Sequence, residues 1–278
     1  MFNEETGYIE TSGARLYYSL LGARRSSGPV LLILPGGDGD ADSPKDIADR
    51  LIHSFAVLTY DRRGLSRSAI VGDVTGLTVG THTDDVHQLL SVLVSAPVLV
   101  LGISLGALIA LDLVARYPQQ VHMVVAHEPP ATQLLSDADQ TQAVHAQEDV
   151  ESAFRHAGIP AAMQKFASIA GLDFQDREHE IEIPRPSPAR VANLRFFLTH
   201  DAPAARGFRV NLGALHTQSG KISVAAGQTS SAFFPYKCAA ALAQYLHRPL
   251  LIFPGGHNGF ITHPRAFAQK LHEVLATV

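Results

Sequence analysis

The chain has 278 residues, of which 46% are hydrophobic and 17% charged, a composition typical of a folded protein with a sizeable core. Its 22 basic and 26 acidic residues give a net charge of −4, which argues against nucleic acid as a partner. The single cysteine, Cys238, rules out an internal disulfide and a cysteine-based zinc site. The first residues do not resemble a signal peptide and no apolar run is suited to span a membrane, so we expect a cytoplasmic protein.

Strands and helices are predicted to alternate along the first half of the chain. In chain order, the predicted elements are strands 8–11, 14–21 and 30–34, helix 44–53, strand 55–60, helix 79–94, strand 98–101, helix 104–117 and strand 121–126. Continuous apolar runs such as 30–34 are typical of strands buried on both faces of a sheet. Alternation of this kind indicates a mostly parallel sheet with right-handed crossovers.

The alternation stops in the middle of the chain and then resumes. Between residues 129 and 215 only helices are predicted, at 141–156, 161–170 and 189–199. Strand 222–226, helix 234–246, strand 250–253 and helix 264–275 follow. We therefore predict a core domain of residues 1–130 and 216–278, and a helical cap, residues 131–215, over the carboxyl edge of the sheet.

The sequence Gly102-Ile103-Ser104-Leu105-Gly106 matches the G-x-S-x-G pattern of a nucleophile elbow. In that motif a serine lies on a sharp turn from strand to helix, and glycines relieve the crowding around it. Three fixed positions are weak evidence alone, but here the motif joins a predicted strand to a predicted helix, as the chemistry requires. A serine that only caps the helix is the structural alternative.

Two further segments supply candidates for an oxyanion hole and a general base. The glycine-rich loop after strand 30–34 predicts Gly37 as one amide donor, and Leu105, directly after the serine, as the other. A plain glycine turn remains the alternative there. His257 follows the last predicted strand, and histidine can exchange a proton near neutral pH. We prefer it to His263, which precedes Pro264 at a helix start and is expected to be structural.

These motifs together resemble the α/β-hydrolase superfamily. Residues 60–68, YDRRGLSRS, resemble that family's D-x-R-G-x-G-x-S loop. Within the superfamily, the blocks AHEPP at 126–130, AAGQTSSAFF at 225–234 and PGGH at 254–257 resemble the zearalenone lactonases. The resemblance implies an α/β-hydrolase fold: a mostly parallel eight-stranded sheet flanked by helices, with an inserted helical cap. The lactonases carry a cap tryptophan near the substrate, whereas this chain has no Trp, which argues against zearalenone itself.

The acid of a catalytic triad is missing from its common position. Many α/β-hydrolases carry an aspartate three residues after a glycine equivalent to Gly227, but here that residue is Ser230, and no carboxylate occurs between Asp201 and Glu273. The resemblance to the lactonases implies that Glu128, which follows strand 121–126, supplies the acid instead. Its role would be to fix the tautomer of the base. A solvated loop residue, or a dyad without an acid, remains open.

We also assign expected roles to polar and aromatic residues outside the proposed catalytic machinery. We expect Asp61 and Arg62 to tie a loop under the sheet, and Asp84 and Asp85 to begin an exposed helical turn. His82 and His87 lack the spacing of an HExxH zinc site, so no metal site is predicted. Candidate substrate-contacting residues are Asp38, Phe196, Phe197, His200, Phe233 and Phe234, although core packing explains the aromatic pairs equally well.

The first hypothesis is a cofactor-independent serine hydrolase that cleaves an ester or lactone of a mid-sized apolar molecule through an acyl-enzyme. Serine at the elbow disfavours epoxide hydrolase and haloalkane dehalogenase chemistry, which use a carboxylate nucleophile. Two alternatives remain open: a carbon–carbon hydrolase or acyl-transferring enzyme with the same residues, and a non-catalytic receptor with this fold. A small molecule is the expected partner, and formation of a homodimer is left open.

Overall fold

The computed structural model describes residues 4–22, 29–183 and 186–276. The strands are β1 (Glu4–Thr11), β2 (Ala14–Leu21), β3 (Val30–Leu34), β4 (Ala56–Tyr60), β5 (Ala69–Ile70), β6 (Val98–Ile103), β7 (Val121–His127), β8 (Ile222–Gly227) and β9 (Leu250–Phe253). All belong to one sheet with the order β1-β2-β4-β3-β6-β7-β8-β9. The two-residue β5 lies outside this order and pairs only with β2. From β4 to β9 every neighbouring pair is parallel, so the carboxyl ends of these strands share one edge.

Helices pack on both faces of this sheet. They are α1 (Lys45–Leu51), α2 (Val79–Leu93), α3 (Leu105–Arg116), α4 (Asp137–Ala170), α5 (Pro188–Phe196), α6 (Ala202–Gly207), α7 (Leu212–Thr217), α8 (Phe234–Tyr245), α9 (Gly259–Thr262) and α10 (Pro264–Leu275). Buried side chains of α2, α3 and α8 form a core on one face, and those of α1 and α10 form a core on the other. Alternate side chains of β3 point to opposite faces of the sheet. Leu32 and Leu34 pack in the first core, and Leu31 and Ile33 pack in the second.

Between β7 and β8 the described residues form helices joined by loops, with no strand. We call residues 132–217 the helical segment. Its long helix α4 is broken at Gly158, whose φ of 78° is left-handed, and Pro160 follows within the same helix. This break separates the two helices predicted at 141–156 and 161–170. A five-residue π-helical turn, Phe197–Asp201, joins α5 to α6. In the described ranges, no helix is both long and apolar enough to cross a bilayer.

The fold agrees with the predicted α/β-hydrolase architecture, with differences in detail. The first strand begins earlier than predicted, and β5 adds a short ninth strand to the expected eight. The expectation for Asp85 was wrong: the residue is fully buried and Arg63 donates to both of its carboxylate oxygens at 2.6 Å. Asp61 ties a loop as expected, since it accepts from the Ala41 amide at 2.8 Å and from Arg67, but it does so at the carboxyl end of β4 and not under the sheet.

Candidate active site

Ser104 stands at a strained turn between β6 and α3. Its backbone has φ 55° and ψ −119°, a conformation that side chains rarely adopt. The strand and helix meet very closely there: a Cβ on Gly102 would lie 2.5 Å from the Gly106 carbonyl, and one on Gly106 would lie 1.9 Å from the Leu34 carbonyl. Both glycines of the predicted elbow are therefore required by close backbone approach.

The loop after β3 passes directly beside Ser104. A Cβ on Gly36 would lie 2.7 Å from the Ser104 Cβ, so only glycine allows this approach. The next residue, Gly37, has a left-handed φ of 51°. Leu105 is the first residue of α3, where backbone amides have no partner within the helix. The two predicted oxyanion donors thus belong to segments that flank the serine.

A buried glutamate and histidine meet beside the serine. Glu128 follows β7, with an unusual left-handed φ of 48°, and His257 follows β9. The Nδ1 atom of His257 lies 2.6 Å from Oε2 of Glu128, and the two residues are 5% and 0% exposed. This pairing leaves the other ring nitrogen, Nε2, for a second partner. His263 lies elsewhere, 3.0 Å from Thr262 Oγ1 and 3.5 Å from a carboxylate oxygen of Asp176, at the start of α10.

The other carboxylate oxygen of Glu128 is held by two donors from the end of β8. The Gly227 amide donates to Oε1 at 2.8 Å, and the Ser230 hydroxyl donates to the same atom. Ser230 occupies the position where many relatives of this fold would carry the acid, and its side chain is completely buried. The absence of an acid at this position is evident from the sequence, but the hydrogen bond from Ser230 to Glu128 is not.

Hydrogen bonds and electrostatic interactions keep Glu128 ionised despite its burial. Burial alone would raise the pKa of its carboxyl, but the hydrogen bond and electrostatic interaction with His257, helped by the hydrogen bond from Ser230, outweigh that effect and lower the pKa to about 2. The neighbouring His127 is different, because burial lowers its pKa to about 4. Its ring makes edge contacts with Phe253 and Phe267 and stays neutral.

Two cavities open on either side of Ser104. The larger, about 250 Å³, is bounded by the Gly36–Gly39 loop and by apolar side chains of the helical segment. The smaller, about 70 Å³, is bounded by Leu105, Cys238 and another part of that segment. Ser104, His257, Phe166 and Phe197 line both cavities. The rings of Phe166 and Phe197 meet edge to face at 5.5 Å, and this pair forms a wall common to the two cavities.

The structure brings some of the candidate substrate residues to these cavities and not others. Phe197 lines both, Phe234 lines the smaller and Asp38 lines the larger, where it pairs with Arg190 at 2.8 Å. Burial raises the pKa of Asp38 despite the opposing charge of Arg190.

The remaining candidates lie outside the linings of both cavities. Phe196 packs against Gly64 and His200, Phe233 packs against Gly171, and His200 borders a separate surface groove. Phe196 and Phe197 are consecutive helical residues whose side chains point about 100° apart, and only Phe197 faces the cavities. Phe233 lies just before α8 in extended backbone, and Phe234 is the first residue of that helix.

Arg62 contacts the site more directly than the sequence suggested. Its guanidinium donates to the carbonyls of Pro35 at 2.9 Å and of Gly37 in the loop beside Ser104. On its other side it pairs with Asp201 of the helical segment at 3.1 Å, and both side chains are buried. It therefore lies at the carboxyl edge of the sheet and not under it.

Comparisons with known proteins agree with this architecture. Residues 29–264 match the family model described as alpha/beta hydrolase fold. An uncharacterized hydrolase of Bacillus subtilis, YraK, is 34% identical over 273 residues, which cover 97% of this chain and 95% of that protein. A zearalenone hydrolase of Cladophialophora bantiana is 25% identical, with 95% and 94% of the two chains covered.

A solved structure shows the same fold at lower identity. The enol-lactonase of Burkholderia xenovorans superposes with a TM-score of 0.72 at 20% identity, covering 97% of this chain and all of that one (100%). Because the family model spans most of the chain and a relative exceeds 30% identity over nearly its whole length, the chain belongs to the α/β-hydrolase family and is a hydrolase.

Proposed function

We propose that the protein is a serine hydrolase that cleaves an ester or lactone of a mid-sized, mainly apolar molecule. The observation that carries the proposal is the strained Ser104 elbow, which lines the same two cavities as His257, the histidine paired with buried Glu128. A nucleophile, a base and an oriented acid are the parts that acyl transfer through a serine needs. The relatives named as zearalenone hydrolases support a lactone or ester as the bond cleaved.

The reaction follows from these positions. The Ser104 oxygen attacks the carbonyl carbon while His257 takes the hydroxyl proton, and the amides of Gly37 and Leu105 stabilise the oxyanion. The carbon–oxygen bond to the alcohol then breaks, and His257 returns the proton to the departing alkoxide. Water, activated by His257, adds to the acyl carbon. Release of the carboxylic acid restores the serine, and Glu128 stabilises the imidazolium in both halves of the cycle.

The cavities support the proposed substrate class. A bond at Ser104 has an apolar space on either side of it, so an ester can place one part in each cavity. The helical segment supplies most of the apolar walls, including Phe166 and Phe197, and thus acts as the cap over the site. A lactone would occupy the same spaces with its two parts joined.

A fluorophosphonate probe and a panel of p-nitrophenyl esters and macrolactones test the proposal. We expect the wild type to be labelled at one site and to hydrolyse members of the panel, and Ser104→Ala to lose both properties. Ser43→Ala is the matched control: Ser43 also lines the larger cavity, but its hydroxyl donates to Asp40, so the variant should keep labelling. A wild type that stays unlabelled beside a reactive control hydrolase would instead favour a receptor.

Isotope labelling separates hydrolysis from acyl transfer. In oxygen-18 water, hydrolysis must place one labelled oxygen in the released acid, because water attacks the acyl carbon. An unlabelled acyl product joined to another acceptor would show that the same residues catalyse transfer or cyclisation.

A further inference from the structure

We propose that Asp201 of the helical segment is a positioning residue: through Arg62 it holds the loop Pro35–Gly39 in the shape that presents the Gly37 amide to Ser104. The inference rests on the proposed function, since it assigns a cause to the oxyanion hole of that reaction. Asp201 itself touches neither the serine nor the cavities that contain it, so its effect is exerted through Arg62.

Each carbonyl of the loop accepts a hydrogen bond. Arg62 donates to the carbonyls of Pro35, Gly37 and Gly39, the Gly39 amide donates to Gly36, and Asn193 donates to Asp38 at 3.2 Å. A carbonyl and the next amide share one peptide plane, so fixing the carbonyls fixes where the amides point. The Gly37 amide shares a peptide plane with the Gly36 carbonyl, and that carbonyl accepts from the Gly39 amide at 2.9 Å. The peptide planes on either side of it carry the Pro35 and Gly37 carbonyls, to which Arg62 donates.

Arg62 can hold this loop only while its own charge is balanced. Its side chain is 2% exposed, and the partner that balances it is Asp201, with an N–O distance of 3.1 Å and a side chain that is 0% exposed. A guanidinium without a partner at such a depth carries a large desolvation cost, and the side chain would move toward water. Removal of the carboxylate charge should therefore release the loop carbonyls.

Asp201 is in turn fixed to the core of the protein. Its second oxygen lies 3.0 Å from His82 Nε2 in α2, which is also fully buried. Burial opposes the ionised form of Asp201, but hydrogen bonds and electrostatic interactions with His82 and Arg62 lower its pKa, in agreement with a carboxylate at this position. The π-helical turn that ends at Asp201 begins with Phe197, which lines both cavities. The packing of the helical segment and the shape of the loop are therefore linked through one set of contacts.

The chain contains a matched control one residue away. Arg63 forms a second buried ion pair with Asp85, at 2.6 Å, with exposures of 9% and 1%. This pair binds the Ser12 carbonyl at the turn between β1 and β2 and does not contact the loop beside Ser104. Asp85→Asn and Arg63→Lys therefore remove a similar buried interaction without releasing the oxyanion loop.

The experiment measures kcat, KM and the inhibition constant of a trifluoromethyl ketone for Asp201→Asn and Arg62→Lys beside the two controls. The ketone adds to the serine and places an oxyanion in the hole, so its affinity reports the hole and not general folding. Loss of one oxyanion donor costs about 10²- to 10³-fold, and a displaced donor should cost part of that. We expect kcat and ketone affinity to fall about 10- to 100-fold in Asp201→Asn and Arg62→Lys, with KM within about threefold.

The controls decide between positioning and simple destabilisation. Asp85→Asn and Arg63→Lys should lower the thermal midpoint by a similar amount but change kcat and ketone affinity less than about threefold. Should Asp201→Asn fail to fold, Arg62→Lys against Arg63→Lys gives the same comparison. The inference is overturned if the first pair of variants matches its controls, or if KM alone rises. A wild type that reacts with neither ester nor fluorophosphonate would remove the proposed function together with the inference.

Discussion

Ser230 supports the carboxylate of Glu128 from the end of the neighbouring strand β8. It lies three residues after Gly227, where the acid commonly stands in this fold, yet it donates its hydroxyl to the carboxylate of Glu128. The serine thereby joins Gly227 and His257 in fixing that carboxylate. Glu128 follows β7 and His257 follows β9, while Ser230 follows β8, the strand that lies between them in the sheet.

Glu128→Gln tests the acid of the proposed triad. The amide can still accept from Gly227 and Ser230, but its NH₂ group would face His257 Nδ1 and favour the wrong tautomer of the ring. We expect kcat/KM to fall by about two to four orders of magnitude while the fold is kept. Glu178→Gln, another buried glutamate whose carboxylate accepts from backbone amides at the start of α10, should hydrolyse the same ester at the wild-type rate. Equal rates in both variants would take Glu128 out of the triad.

His127 predicts an acid-dependent loss of stability. Its pKa is about 4 in the fold against an ordinary value of 6.5, so below pH 6.5 the unfolded chain binds a proton that the folded chain excludes. Stability from this residue is complete above pH 6.5 and is lost as the pH falls toward 4, to a total of roughly 3 kcal/mol. Glu128 adds a second loss at lower pH, between its ordinary value of 4.5 and about 2.

Chemical denaturation between pH 7 and 4 measures this effect. His127→Phe should flatten the dependence of the unfolding free energy on pH over that range, because the titrating group is gone. His122→Phe, on the exposed side of the same strand, should leave the slope as in the wild type. A slope that is unchanged in His127→Phe would contradict the assignment.

At the scale of secondary structure, the elbow depends on how closely β3, β6 and α3 approach one another. Gly106→Ala would place a methyl group 1.9 Å from the backbone carbonyl of Leu34, which cannot move without shifting β3. We expect a loss of about 3 kcal/mol or more in the free energy of unfolding. Gly207→Ala, at the end of α6 with no atom within 4 Å of the added carbon, should be neutral or slightly stabilising. Equal stability of the two variants would show that the elbow tolerates a side chain.

The elements also show where sequence reasoning succeeds and where it stops. Apolar runs and the G-x-S-x-G pattern predicted the strand, turn and helix around Ser104, because local conformation and burial leave a periodic signal. The same reasoning could not tell which phenylalanine of 196–197 or 233–234 faces the cavities, since that depends on how each helix is rotated against the sheet. It placed Asp85 in solvent, because the long-range pairing with Arg63 has no local signal.

At the scale of the whole molecule, the parallel sheet gathers the site from distant parts of the sequence. The strands β6, β7, β8 and β9 are consecutive neighbours, and the proposed nucleophile, acid and base follow the first, second and fourth of them. The order was predictable from the alternation of elements and the family resemblance. The network from His82 through Asp201 and Arg62 to the loop beside Ser104 was not, because it joins four separated segments and appears only in three dimensions.

The structure of the protein after reaction with an alkyl fluorophosphonate tests most directly that Ser104 is the activated nucleophile of this site. We predict phosphorus bonded to the Ser104 oxygen, the phosphoryl oxygen about 3 Å from the amides of both Gly37 and Leu105, and the alkyl group in one of the two cavities. Phosphorus on another side chain, or a phosphoryl oxygen turned away from both amides, would contradict it.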